Sequence, residues 1–280
     1  LWSFISNPCV RAKRNKSMPR IRMKPDTLNE ENQKFEQAPL KQPLFLNSVP
    51  KSGSHLLRNI FRMFVPVEQQ YHEQFIQWPN LEDHAHAFDK DAKFLSWGHL
   101  LFSDASVMRL KHARKIVLVR DPYSWVLARA RFFISDEFSG NIDHIKNGVL
   151  TVEELLNLMI IGVYQKAPSM HEIFNLNACA WIGTGVHLVR YEDLIDNLKD
   201  LESKRAEEYF RSVLTAGGVE LTEDWRERVR IGSDRKQSGT ARENLTGKAG
   251  EIDIPKELPE AQKRLVDLQS PGLRAFLGYS

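Results

Sequence analysis

The stretch that decides the fold is residues 43–58, which read P-L-F-L-N-S-V-P-K-S-G-S-H-L-L-R. Its first half is a short apolar run, and its second half is a polar turn after which apolar residues recur at helical spacing. The pattern predicts a strand that ends in a tight turn and continues as a helix. Residues 115–122, K-I-V-L-V-R-D-P, repeat this plan around a continuous apolar run of the kind found in central parallel strands.

Short apolar runs alternate with amphipathic stretches along the rest of the chain. The further predicted strands are residues 94–97 and 186–189, and the further predicted helices begin near residues 122, 151, 191, 201 and 260. Alternating strands and helices predict an α/β fold: a single three-layer domain with a mostly parallel central sheet and a strand, phosphate loop and helix that form a nucleotide site. Ligands of such sheets bind at the carboxyl ends of the strands, where both turns are expected to lie.

Charge is unevenly distributed over the 280 residues. Residues 1–24 contain seven basic residues and no acidic one, so the rest of the chain carries −4 against +3 for the whole. We expect residues 1–42 to be a basic, polar extension with little fixed structure and residues 43–280 to form the folded domain. The mildly acidic body argues against nucleic acid as a partner. No apolar run approaches the roughly 18 residues that span a bilayer, so no membrane span is expected.

The chain has two cysteines, Cys9 and Cys179, which lie far apart in the sequence. They predict neither a disulfide framework nor a metal cluster, and they favour a reducing, cytoplasmic location. The sequence does not indicate an oligomeric state.

The first turn, Pro50 to Leu57, has the composition of an anion cradle. Backbone N–H groups at a helix N-terminus attract phosphate, Gly53 lets the backbone approach a ligand closely, and Lys51 adds a full positive charge. The turn differs from the common nucleotide P-loop, because its lysine precedes the single glycine and no Gly-Lys-Ser/Thr step follows. The alternative interpretation is an ordinary turn between a strand and a helix.

The second turn ends a buried strand with Arg120. A guanidinium at this place can form a bidentate pair with a phosphate, while Asp121 can cap the helix that Pro122 opens. In the alternative interpretation, Arg120 pairs with Asp121 or with another carboxylate.

Together the two turns resemble the cofactor site of the sulfotransferases that use 3′-phosphoadenosine 5′-phosphosulfate (PAPS), in particular the cytosolic type that acts on small molecules. The P-K-S-G-T-T-W loop of that family is similar to Pro50–Leu56, and its R-[ND]-P segment is similar to Arg120–Ala128. Its Y-E-D-L segment is similar to Tyr191–Leu194, and its late R-K-G-x-x-G motif is similar to Arg235–Gly239. The four motifs occur in the family's order and span about residues 43–245.

The resemblance implies direct transfer of a sulfuryl group from PAPS to a hydroxyl or amine of a small-molecule acceptor, with no metal. It implies that His99, which lies 21 residues before Arg120, is the general base, and that Lys51 stabilises charge on the leaving nucleotide. The residues that it assigns to cofactor binding are Lys51, Ser52, Gly53, Ser54, His55, Leu56, Arg120, Ser124, Tyr191, Arg235, Lys236 and Gly239.

Three positions depart from the family's pattern. Ala128 stands where the family has a serine, Leu56 where it has a tryptophan, and Gln237 where it has a glycine. Nearby residues that can compensate are Ser124, Arg129 and Arg131 for the missing hydroxyl, and His55 for the missing stacking surface.

The acceptor is identified only by class. Aromatic residues near the motifs can line an apolar pocket or fill the core: Phe75, Trp78, Trp97, Phe102, Phe132, Phe133 and Phe138. Residues 71–91 are expected to form a lid on the acceptor side, and His84-Ala85-His86 within them a solvated loop. The rival functions are a small-molecule kinase with an atypical phosphate loop, a nucleotide-binding relative without activity, and an RNA-binding module that uses the basic head.

Overall fold

The structure is a computed structural model that describes residues 20–21, 24–72, 75–135, 138–140, 142–146, 148–239 and 253–280. Its strands are β1 (Arg20–Ile21), β2 (Leu44–Ser48), β3 (Ile76–Gln77), β4 (Leu95–His99), β5 (Arg114–Val119), β6 (Phe138–Ser139) and β7 (His187–Arg190). Its helices are α1 (Leu28–Asn32), α2 (Ser54–Arg62), α3 (Asp104–Arg109), α4 (Pro122–Ile134), α5 (Val152–Ile161), α6 (Met170–Asn177), α7 (Tyr191–Lys199), α8 (Lys204–Ala216), α9 (Trp225–Ser233), α10 (Glu260–Gln269) and α11 (Leu273–Phe276).

Five strands form one parallel sheet in the order β3-β4-β2-β5-β7. Leu46 of β2 lies between Trp97 of β4 and Ile116 of β5, so residues 43–58 and 115–122 are neighbours at the centre of the sheet. The predicted α/β fold with a mostly parallel sheet is confirmed.

Alternate side chains of β5 enter two different cores, which explains its unbroken apolar sequence. Val117 and Val119 pack with Trp125 of α4 on one face of the sheet. Ile116 and Leu118 pack on the other face, in the core that contains α2. A strand with both faces covered needs apolar residues at every position, and the sheet is therefore the middle of three layers.

Structure begins earlier than the sequence suggested. The stretch 1–42 was expected to have little fixed structure, but Leu28 of α1 is fully buried, and Asp26 pairs with Arg62 at 2.8 Å. The Asn32 amide donates to the carbonyls of Arg62 and Val65 at the end of α2. Polar side chains that bind main-chain carbonyls fix this segment, and a count of charge and hydropathy does not register them. Most of the basic head, with Cys9, lies outside the described residues.

The edge strand β3 has two residues and was not predicted. It pairs with β4 at Gly98, where an added Cβ would lie 1.8 Å from the Ile76 carbonyl oxygen, so only glycine admits this strand. The strand β4 extends to His99, beyond its predicted end at residue 97, and so places His99 at the carboxyl edge of the sheet. Within the described ranges, no helix is both long and apolar enough to cross a membrane.

Candidate functional site

The site lies where the central strands end. Ser48 ends β2, His99 ends β4, Val119 ends β5 and Arg190 ends β7. Parallel strands bring these four ends to one edge of the sheet, and the predicted turns follow two of them.

The loop between β2 and α2 is held in an unusual backbone conformation. Lys51 has a φ of 67° and Gly53 a φ of 94°, and Gly53 is the N-cap of α2. A Cβ on Gly53 would lie 2.7 Å from the ring of Tyr191, so the loop and the start of α7 pack directly on each other. The Trp125 indole N–H donates to the Pro50 carbonyl at 2.5 Å and ties the loop to α4. Glycine is required at position 53 both by its backbone angle and by the lack of space.

The same loop has hydrogen-bond donors that an anion could use. The Ser52 hydroxyl is fully buried and has no hydrogen-bond partner in the described part of the chain. The first N–H groups of α2 have no intrahelical acceptor and carry the positive end of the helix dipole. A buried hydroxyl beside such donors fits a phosphate group.

Arg120 joins three of the four predicted motifs. Its guanidinium lies 4.6 Å from the ring centre of Tyr191, its Nε donates to the Ser124 hydroxyl at 2.9 Å, and one terminal nitrogen donates to the Lys51 carbonyl at 3.4 Å. The Asp121 carboxylate has other partners than Arg120. It accepts a hydrogen bond from the Tyr123 N–H as the cap of α4, and it pairs with Arg274 at 3.0 Å.

Glu192 is a residue of the site that sequence reasoning missed. Its carboxylate accepts hydrogen bonds from the Ser124 hydroxyl at 3.0 Å, the Asp121 N–H at 3.2 Å and the Tyr279 hydroxyl at 2.8 Å. The available signal was its place directly after Tyr191 in the Y-E-D-L segment. It fixes the start of α4 to the start of α7.

His99 is anchored through one ring nitrogen. Its Nδ1 lies 2.9 Å from the Ser48 carbonyl oxygen and 3.0 Å from the Ser48 hydroxyl. An Nδ1–H that donates to a carbonyl leaves the Nε2 lone pair available as a proton acceptor. Burial lowers the pKa of His99 to about 4, against the opposing effect of the bond to Ser48, so the imidazole is neutral at physiological pH. Ser48 is a second residue that was missed.

The side chains that follow Gly53 lie toward β4. The Ser54 hydroxyl lies 2.6 Å from that of Ser48, and the His55 ring packs edge-on against Trp97 at 4.7 Å. Burial, followed by the charge of Arg58, lowers the pKa of His55 to about 3. His55 is therefore a neutral ring beside the loop. Leu56 packs at the margin of the α2 core.

The late motif lies beside α2 and the N-terminal segment. Its residues Arg235 and Lys236 are exposed, and Asn59 of α2 donates to the Gln237 carbonyl at 3.1 Å. The Gln237 amide oxygen accepts the N–H of Thr27 at 2.9 Å, so glutamine in place of glycine connects this segment to residues 24–27.

Gly239 ends the described part of the late motif. It is buried, and its carbonyl accepts the Lys24 N–H at 3.3 Å.

The two arginines that follow Ala128 donate to main-chain carbonyls. The guanidinium of Arg129 is buried and donates to the carbonyls of Met159 and Pro168, and burial lowers its pKa to about 10. Arg131 donates to the Pro255 carbonyl at 2.7 Å. Of the three candidates for the missing hydroxyl at position 128, Ser124 contacts Arg120.

The aromatic residues near the motifs separate into groups. Phe75 lies 4.7 Å, between ring centres, from both Trp97 and His99. The Lys51 ammonium lies 3.7 Å from the ring centre of Phe132, which packs with Phe133 and Phe138. The other two lie away from these contacts: Phe102 packs on Trp181, and Trp78 is exposed.

The prediction of a solvated loop at His84-Ala85-His86 holds for His86, which is exposed, but not for His84, which is buried. The Tyr71 hydroxyl is buried between the two imidazoles, 2.6 Å from His84 Nδ1 and 3.3 Å from His86 Nε2. These two contacts connect the segment to Tyr71. Tyr71 and His84 are 13 residues apart, so a local sequence pattern does not predict their contact.

No protein-family model matches this chain, and no curated protein sequence matches it. Solved structures do. The mouse sulfotransferase SULT7A1 complexed with PAP matches with a TM-score of 0.55 and 15% identity, over 90% of this chain and 93% of that one. The sulfotransferase domain from the curacin biosynthetic pathway matches with a TM-score of 0.42 and 15% identity, over 87% of this chain and 99% of that one.

Retinol dehydratase in complex with androsterone and the inactive cofactor PAP matches with a TM-score of 0.46 and 11% identity, over 85% of this chain and 81% of that one. At such identities the likeness establishes a fold: this chain shares the α/β fold of the mouse sulfotransferase along nearly its whole length.

Proposed function

We propose that this protein is a sulfotransferase that moves the sulfuryl group of PAPS to a hydroxyl or amine of a small-molecule acceptor. The observation that carries the proposal is the meeting of two features at one edge of the sheet. One is an anion-binding loop whose glycine packs on Tyr191 beside Arg120. The other is a neutral, oriented histidine at the end of the neighbouring strand.

The loop is the proposed binding site for one end of a nucleotide. The donors for a 5′-phosphate are the N–H groups of Ser54 and His55 and the buried hydroxyl of Ser52, which has no hydrogen-bond partner among the described residues. Arg120, backed by Ser124 and stacked on Tyr191, is the cation for a 3′-phosphate, with Arg235, Lys236 and Gly239 as its proposed partners from the late motif. A nucleotide with phosphates at both positions would bind the loop and Arg120 at the same time.

His99 supplies the general base. The acceptor's O–H or N–H gives its proton to Nε2 of His99 while the acceptor atom forms its bond to sulfur. The bond from sulfur to the phosphate oxygen breaks, and that oxygen leaves with the nucleotide as adenosine 3′,5′-bisphosphate. The Ser48 carbonyl holds the Nδ1 proton, and so stabilises the positive charge that develops on the ring.

Lys51 is the proposed source of positive charge at the leaving oxygen. It lies in the loop itself, and its ammonium rests over the Phe132 ring at the boundary with the aromatic cluster. A cation at this boundary stabilises negative charge that develops on the bridging oxygen. Transfer of this kind requires in-line positioning and charge stabilisation rather than a covalent enzyme intermediate.

The proposal is tested by incubating the protein with PAPS in EDTA and a panel of phenols, alcohols and amines. Release of adenosine 3′,5′-bisphosphate and formation of the sulfated acceptor are both measured by liquid chromatography. Acceptor-dependent release with matching product supports the proposal. Phosphoryl transfer from ATP and Mg²⁺ with no turnover of PAPS would replace it by a kinase.

A further inference from the structure

The C-terminal segment, residues 273–279, is packed on the back of the proposed nucleotide site. Arg274 of α11 contacts both carboxylate oxygens of Asp121, at 3.0 and 3.1 Å. The Gly278 carbonyl accepts a hydrogen bond from Arg190, and the Tyr279 N–H donates to the Arg274 carbonyl at 2.8 Å. The segment thus contacts the ends of β5 and β7, the strands that lead into α4 and α7.

A continuous chain of hydrogen bonds runs from this segment to Arg120. The Tyr279 hydroxyl donates to Glu192 at 2.8 Å, and the other oxygen of Glu192 accepts the Ser124 hydroxyl at 3.0 Å. The Ser124 oxygen in turn accepts Arg120 Nε at 2.9 Å. The single proton of Ser124 has two acceptors within reach, the Asp121 carbonyl at 3.2 Å and the nearer, charged Glu192 carboxylate at 3.0 Å. When it is donated to Glu192, the Ser124 lone pair faces Arg120 and the chain runs in one direction.

The chemistry at the far end of the chain favours a fixed donor. Burial, followed by the charge of Glu192, raises the pKa of Tyr279, which keeps its phenol protonated. The Arg190 guanidinium lies 5.5 Å from the ring centre of Tyr279 and limits the movement of the ring. The hydrogen bond from a neutral phenol to a carboxylate is charge-assisted, and such bonds are shorter and stronger than those between neutral groups.

We propose that residues 273–279 are a positioning element for the nucleotide site, in which Tyr279, through Glu192 and Ser124, holds Arg120 in the orientation that binds a 3′-phosphate. The identity of the ligand rests on the proposed function. The chain of contacts does not, because it lies within the protein. Tyr279 itself contacts neither the phosphate loop nor His99 among the described contacts.

Loss of the Tyr279 hydroxyl should affect recognition of the two phosphates differently. The loop around Ser52 and Gly53 has no hydrogen bond to the segment among the described residues, so loss of the Tyr279 hydroxyl should leave recognition of a 5′-phosphate intact. It should weaken only the recognition that depends on Arg120. A merely structural role for Tyr279 would weaken both.

The experiment is Tyr279→Phe, with the dissociation constants of adenosine 3′,5′-bisphosphate and 5′-AMP measured by calorimetry. We expect the preference for the bisphosphate to fall by about tenfold, as for the loss of one hydrogen bond to a charged group. The affinity for 5′-AMP should change less than about twofold. The matched control is Tyr123→Phe. The Tyr123 hydroxyl binds the carboxylate of Asp267, and the Tyr123 ring lies 4.1 Å from the Arg274 guanidinium of the same segment, but Tyr123 is not a member of the hydrogen-bond chain from Tyr279 to Arg120.

An unchanged preference in Tyr279→Phe would overturn the inference, and so would an equal loss of affinity for both nucleotides. A second measurement is independent of any ligand. The Nε–H resonance of Arg120, assigned with Arg120→Lys, should shift in Tyr279→Phe and stay in place in Tyr123→Phe. If the wild-type protein shows no preference for the bisphosphate, the proposed function fails, while the resonance still decides whether Tyr279 orients Arg120.

Discussion

The proposed nucleotide side and the proposed acceptor side of the site are built in different ways. On the nucleotide side, Arg120, Ser124 and Glu192 are connected by directional hydrogen bonds, and Gly53 fits against Tyr191 with no room for a side chain. On the acceptor side, Phe75 and Phe132 meet His99 and Lys51 through ring contacts that have no fixed donor or acceptor. We expect the first arrangement to select one ligand geometry and the second to accept a class of shapes.

The largest expected effect is at the boundary between the two sides. His99→Ala removes the only base that the proposal assigns, so turnover should fall by about 10²- to 10⁴-fold. The variant should still bind adenosine 3′,5′-bisphosphate with near wild-type affinity, which calorimetry can show. Retention of more than about a tenth of the wild-type rate would remove His99 from the role of general base.

Arg120→Met tests the nucleotide side alone. It replaces a guanidinium by an apolar chain, and a hydrogen-bonded charge pair contributes about 1.5–3 kcal/mol, or roughly 10- to 150-fold in affinity. Binding of adenosine 3′,5′-bisphosphate should weaken by that factor, while binding of 5′-AMP should not. The matched control is Arg109→Met, since Arg109 is exposed on α3 and pairs with Glu82. Equal weakening of both nucleotides would place Arg120 elsewhere.

The buried histidine makes stability depend on pH. The pKa of His99 is about 4 in the folded protein and 6.5 in the unfolded chain, mainly because of burial. The unfolded state therefore binds more protons between these values, so stability is greatest above 6.5 and is lost as pH falls toward 4. The slope is at most about 1.4 kcal/mol per pH unit for each such histidine.

Urea unfolding at several pH values within this window measures the effect. His99→Gln should show a shallower loss of stability than wild type, with the remaining slope shared by His55, whose pKa burial also lowers. Parallel curves for the two proteins would mean that His99 titrates normally in the fold.

The smallest effect is expected on the acceptor side. Phe75→Leu removes the ring that packs on His99 and Trp97, and keeps an apolar side chain of similar volume. The acceptor KM should rise by a few fold, with the affinity for adenosine 3′,5′-bisphosphate unchanged, because aromatic contacts of this kind contribute about 0.5–1.5 kcal/mol beyond their buried area. A change in nucleotide affinity instead would show that the two sides are not separate.

The elements that form the proposed nucleotide side could be predicted from the sequence because their residues are local. Strand, loop and helix follow one another within residues 44–62, and the apolar run of β5 ends at Arg120. These short-range patterns fix both which residues reach the sheet edge and which strands are central.

Residues whose role depends on contacts distant in sequence were not predictable in the same way. Glu192 binds Tyr279, 87 residues away, and Ser48 binds His99, 51 residues away. The edge strand β3 is two residues long and carries no periodicity. The helix α1 is held by side-chain bonds to the end of α2, so its order is set by packing rather than by its own composition.

The most direct measurement is thermal unfolding in EDTA with adenosine 3′,5′-bisphosphate, compared with 5′-AMP and with ATP and Mg²⁺. At about 100 times its dissociation constant a ligand adds roughly 2.7 kcal/mol of stability. We predict that the bisphosphate raises the unfolding temperature without metal, and far more than 5′-AMP does at the same concentration. This rise should be lost in Arg120→Met. A shift with ATP and Mg²⁺ alone, or none with any nucleotide, would contradict this prediction.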